Sequence, residues 1–202
     1  MIQKQFTILS IIPTNETIGR CDTIFIIQKK KTDINKSFIA NFHNCTVFHE
    51  PSQIRLFKEL YCKTTLNCLS MDVKVGTVSW NSHKDLLTND NCKSRLIYVC
   101  NVKNGAIVNS NNRNELKKLF INKTGIIEPS ILVHRGYGKG KPIFDFALIN
   151  TDHPYLVENH LLTVTCLENI PREEKLQKLQ NILLSFKDGR TKQFVHLYFG
   201  NK

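Results

Sequence analysis

The feature that most narrows the fold is a sharp turn. Lys103-Asn104-Gly105 separates Leu-Ile-Tyr-Val-Cys-Asn-Val (96–102) from Ala106-Ile107-Val108. Asn-Gly supplies the positive φ angles of a two-residue hairpin, so both flanks are expected to be antiparallel strands. Similar apolar, β-branched runs bounded by turn residues recur along the chain. Phe6 to Ile12 and Asp22 to Gln28 flank Pro13-Thr14-Asn15-Glu16, and Phe38 to Phe48 reads as a hairpin about His43-Asn44. Leu66 to Trp80, Ile131 to Val133, Ile143 to Ile149 and His160 to Cys166 read as strands, with Asn150 to Asn159 a polar loop. Ile182 to Phe186 and Gln193 to Phe199 read as a last strand pair around Lys187-Asp188-Gly189-Arg190.

Helical spacing interrupts this pattern. Glu50-Pro51-Ser52 opens a segment with Ile54, Phe57, Leu60 and Tyr61 on one face. Pro171 opens a second helix, with Glu173 and Glu174 at the positive end of its dipole and Leu176, Leu179 and Leu183 as its apolar stripe. A third, short helix is expected around Leu116, Leu119 and Phe120, ended by Gly125. Residues 41–66 and 101–126 also align without a gap at an offset of 60, sharing Asn, Leu, Lys and Thr positions, which fits either duplication or compositional chance. The fold expected is α/β (α+β): two small mixed α/β units, residues 1–95 and 96–202, the second holding a mixed sheet with a packed helix.

Composition limits the function classes. With 41% hydrophobic residues among 202, the chain can bury a core, and no apolar run is long enough to span a bilayer, so no membrane association is expected. The start, with no small-residue cleavage site, reads as carrying no signal peptide; seven cysteines then read as reduced thiols in a nuclear or cytoplasmic protein. The net charge of +11 points to a polyanionic partner, although 21 Lys against 7 Arg also fits codon bias.

Chemistry is sparse. No Gly-x-Ser-x-Gly, Cys-x-x-Cys or His-Glu-x-x-His occurs, so no nucleophile, metal or cofactor is expected. The segment His134-Arg135-Gly136-Tyr137-Gly138-Lys139-Gly140-Lys141 combines glycines that let backbone N–H groups approach an anion, cations that neutralise it, and an aromatic ring that can stack on a base. His134, Arg135, Tyr137, Lys139 and Lys141 are therefore candidate RNA-binding residues, with Arg190 and Lys192 near the C-terminus. For metal-free RNA cleavage, His160 is the candidate base.

The run Gly140-Lys141-Pro142-Ile143-Phe144-Asp145-Phe146, the loop Asp152-His153-Pro154 and then Asn159-His160-Leu161-Leu162 resemble the tRNA-splicing endonuclease family. Cys45 to Pro51 with Ile54 to Phe57 resembles its N-terminal strand-helix element. The resemblance implies a nuclease-like C-terminal α/β domain, a pre-tRNA substrate, and assembly with other tRNA-splicing endonuclease subunits through the final strand. The family uses a Tyr, a His and a Lys. His160 matches the His, whereas the other two positions read Ile149 and Asn181, so the resemblance implies a structural, non-catalytic subunit. Tyr155 and Lys187 lie close enough in sequence to substitute, which keeps open an active metal-independent ribonuclease. A further alternative is a small basic interaction protein of a virus or parasite with no RNA role.

Overall fold

The computed structural model describes residues 6–13, 23–29, 38–42, 45–62, 64–109, 116–136 and 144–199. They form a mixed α/β protein. The chain divides into two compact units, one of residues 1–63, 138–142 and 189–202, the other of residues 64–137 and 143–188. Its α-helices among the described residues are α1 (Pro51–Leu60), α2 (Arg172–Lys187) and α3 (Gly189–Phe199).

The first unit holds two antiparallel hairpins, β1 (Phe6–Pro13) with β2 (Thr23–Lys29), and β3 (Ile39–Phe42) with β4 (Cys45–Phe48). Pro51 opens α1, where a missing N–H costs nothing. Ile54 and Phe57, one turn apart, bury against Ala40 and Val47. From α3, Phe194 packs its ring 4.7 Å from that of Phe57, and Leu197 joins the same cluster.

The described part of the second unit holds two four-stranded sheets, a two-stranded hairpin of Val102–Lys103 with Ala106–Ile107, and one α-helix. Its strands are β5 (Met71–Val75), β6 (Leu87–Thr88), β7 (Ser94–Ile97), β8 (Val102–Lys103), β9 (Ala106–Ile107), β10 (Phe120–Ile121), β11 (Ser130–His134), β12 (Phe146–Ile149), β13 (Tyr155–Val157) and β14 (Leu161–Cys166). One sheet, ordered β12-β11-β14-β5, is antiparallel throughout. The other, ordered β13-β7-β10-β6, is mixed, because β13 runs parallel to β7. Alternation along β11 divides the core. Ile131 and Val133 face α2 with Phe146, Val164, Leu179, Ile182 and Leu183, while Leu132 packs with Ala147, Leu161, Ile97, Tyr155 and Val157. Each large aliphatic side chain buried this way is worth about 1.5–3 kcal/mol.

The Asn-Gly turn forms as the sequence indicates. Asn104 and Gly105 take φ of 49° and 84°, and Val102 and Lys103 pair with Ile107 and Ala106. The flank 96–102 does not run on as one strand, since a 3₁₀ turn at Val99–Asn101 divides it.

Four expectations are corrected. Residues 182–186 continue α2, and 193–199 lie in α3, so no final strand pair exists. Ile182 and Leu183 fall three and four residues after Leu179, which carries the buried stripe one turn further, and the Asp-Gly pair breaks between two helices. The pairing strand implied by the family resemblance is thus a helix. Phe120 is in a strand, not a helix: Phe120 and Ile121 pair with β7 and β6, while residues 110–115 lie outside the described residues. The supposed loop 150–159 contains β13, whose Tyr155, Leu156 and Val157 are all buried. Finally, residues 64–95 belong with the second unit, where β5 hydrogen-bonds to β14 and β7 lies at the centre of the mixed sheet.

Candidate nucleic-acid interface

A buried carboxylate organises one end of the second unit. Glu158 follows β13, its N–H donates to Ile97 C=O, and its side chain is 1% exposed. The chain crosses so closely here that a Cβ on Gly76 would stand 2.2 Å from Glu158 C=O, which only glycine permits. A buried charge needs a partner, and Lys117 Nζ donates to Glu158 Oε1 at 2.9 Å. The same ammonium lies 4.9 Å from the centre of the Tyr98 ring and 5.3 Å from that of Trp80. Lys84, exposed on the 3₁₀ segment Trp80–Leu86, places its ammonium 4.9 Å from the Trp80 ring centre as well. Trp80 therefore carries two cations within cation–π range.

The start of the basic Gly-containing segment meets this cluster. Arg135, exposed, donates from Nη1 to Asn159 C=O at 2.8 Å, and its own N–H donates to His160 C=O. Asn159 N–H in turn donates to Val78 C=O, two residues before Trp80. His134 commits its Nε2–H to the carbonyls of Val99 and Val102, both at 3.1 Å, so this ring serves the fold rather than a ligand. Tyr137, Lys139 and Lys141 lie outside the described residues. Arg190 and Lys192 fall in the other compact unit.

His160 is half exposed, with Nδ1 3.7 Å from Glu158 Oε1. The tyrosine that would complete a ribonuclease centre stands elsewhere. In the register of β11, Ser130 opposes Ile149 and His134 opposes Leu161, so Ile149 and His160 sit at opposite ends of that strand, about 13 Å apart at ~3.3 Å per residue. Tyr155 is at the Ile149 end, where its hydroxyl donates to Glu128 C=O at 2.7 Å and shares a 2.7 Å hydrogen bond with Ser130. Burial pushes its pKa up to about 12, which the Ser130 bond only partly offsets. Burial likewise raises the Tyr98 phenol. Asn181 is exposed on α2 and accepts from Gln177. Lys187 ends α2 with its stem against Gly105.

Among the described residues, no cluster of three His, Cys, Asp or Glu could hold a metal, and no helix is long and apolar enough to cross a membrane. The residues that sequence reasoning passed over are Glu158, Lys117, Trp80 and Lys84. Only the lone tryptophan among flanking polar residues marked this place in the sequence. Comparison of the chain with protein-family models, with curated proteins and with solved structures finds no match in any of the three.

Proposed function

We propose that the chain is a non-catalytic subunit of an RNA-processing assembly, tRNA-splicing endonuclease-like in role, that holds RNA by its phosphates. The observation that carries the backbone contact is the meeting of Arg135, Lys84 and His160 around the Trp80–Lys117–Glu158 cluster at one end of the second unit. Arg135 supplies a guanidinium fork suited to phosphate, and Lys84 a mobile point charge beside an aromatic platform. The splicing role is supported by the resemblance of residues 140–164 to that family. Catalytic silence is supported by the separation of His160 from Tyr155 across β11 and by the burial of that phenol.

The test is a mobility-shift and cleavage assay on a pre-tRNA in EDTA. Expected are a shift, weakened by Arg135→Glu, and an intact substrate. Cleavage in EDTA that disappears with His160→Ala overturns the non-catalytic assignment, and absence of any shift overturns RNA binding.

A further inference from the structure

The antiparallel sheet β12-β11-β14-β5 ends on β5, and among the described residues nothing pairs with its outer edge. Which backbone groups that edge offers follows from the hydrogen bonds on its inner side. Leu167 N–H donates to Ser70 C=O and Gly76 N–H to Leu161 C=O, each at 2.9 Å. In an antiparallel ladder every second residue turns inward. Asp72 and Lys74 therefore bond to β14, while Met71, Val73 and Val75 turn outward. Met71 N–H is taken by Leu66 C=O at 3.0 Å. Open to a further strand are then the N–H and C=O of Val73 and Val75, and Met71 C=O.

Side chains mark the same edge. Alternation places Met71, Val73 and Val75 on the α2 face, level with Cys166, Val164 and Leu162 of β14. Met71 is buried in the cluster of Leu179, Ile182 and Leu183, but Val73 and Val75 are 45% and 44% exposed. The opposite face carries Asp72 and Lys74, whose carboxylate and ammonium meet at 2.5 Å, with the lysine side chain 75% exposed. A lysine on an edge strand ordinarily repels a second strand. Here the acid two residues earlier turns that guard into half of a matching pair.

We propose that β5 pairs with β5 of a second copy of the chain, antiparallel about a two-fold axis at Val73, joining two four-stranded sheets into one. In this register Val73 exchanges N–H···O=C bonds with its counterpart, and Val75 N–H reaches Met71 C=O. Asp72 falls opposite Lys74 in both directions, at the non-hydrogen-bonded positions where facing side chains come closest. Other registers fail. An axis at Asp72 or Lys74 sets like charges face to face. An axis at Val75 puts Lys74 opposite Gly76 and leaves both charges unmatched, and one at Met71 meets an N–H already engaged. The contact is short, so the dimer is weak and depends on concentration. It goes beyond RNA binding and does not depend on it.

Sedimentation velocity of the full-length protein from about 5 to about 500 μM reads the association, and a shift from monomer toward dimer is expected across that range. Asp72→Lys and Lys74→Asp each weaken it about tenfold, because both facing pairs become like charges. An equimolar mixture of these two variants regains dimer, since every facing pair is again opposite. The double variant Asp72→Lys, Lys74→Asp regains it too. Val73→Pro removes an outward N–H that the fold does not use and abolishes the dimer. Should proline disrupt β5, the charge exchange still decides. A monomer at every concentration overturns the proposal, as do single variants that dimerise like the parent. Weakened association that the mixture fails to restore overturns the register and the proposal with it. A monomer whose β5 amide NMR signals shift only with a foreign extended peptide assigns the edge to another partner and overturns self-pairing equally.

Discussion

Lys117 Nζ lies 2.9 Å from Oε1 of Glu158, and that carboxylate is almost wholly enclosed. The pair joins the segment before β10 to the residue after β13, 41 positions apart, so it fixes how two strands of the mixed sheet end. Removing one partner of such a pair strands the other's charge. Lys117→Met is expected to lower stability by about 2–3 kcal/mol, below the usual cost of breaking a fully buried pair because Lys117 is itself partly exposed. The double variant Lys117→Met, Glu158→Gln recovers part of that loss, and chemical denaturation of the four proteins measures the coupling. Simple additivity would contradict the pairing.

Tyr155 yields a pH prediction. Its phenol is held protonated in the fold, with a pKa of about 12 against about 10 in the unfolded chain. A raised folded value means the stabilisation is complete below pH ~10 and drains away as pH rises toward ~12. Tyr155→Phe removes the bonds to Ser130 and Glu128, costs about 1 kcal/mol at neutral pH, and flattens the loss of stability between those limits. Tyr98, also raised by burial, keeps a residual slope. Equilibrium denaturation at stepped alkaline pH decides the matter, and an unchanged slope in the variant would refute the assignment.

Gly76 and Gly136 separate crowding from backbone strain. A Cβ at Gly76 meets Glu158 C=O at 2.2 Å, so Gly76→Ala must displace backbone and is expected to cost about 3 kcal/mol or more. At Gly136 a Cβ meets nothing, but φ is +74°, so alanine there costs only the left-handed penalty of about 1 kcal/mol. Thermal denaturation orders the two, and equal losses would mean that the close crossing at Glu158 is not enforced.

These relationships were unevenly legible in the sequence. The Asn104-Gly105 hairpin, α1 and the start of α2 follow from local chemistry and form as expected. The second half of α2 did not show itself, because Ile182 to Phe186 is a short apolar run whose period fits either element, and only packing of Ile182 and Leu183 beside Leu179 decides it. β13 was hidden among polar neighbours since its three buried residues are its whole length. Of the site, Arg135 and His160 carry a visible signature, whereas Glu158 and Lys117 matter only through a contact spanning 41 residues. The distance along β11 between Ile149 and His160 is a matter of strand register, which no spacing of residue types encodes.

The account turns on whether exposed cations at the Glu158 end hold nucleic acid by its phosphates. Fluorescence anisotropy of a labelled single-stranded RNA, repeated from 50 to 200 mM salt, measures this directly. Two to four phosphate contacts predict that log K falls against log salt with a slope of about −1.5 to −3, and that Arg135→Glu and Lys84→Glu each reduce its magnitude by about 0.7. An affinity indifferent to salt, or a slope unmoved by both substitutions, would contradict it.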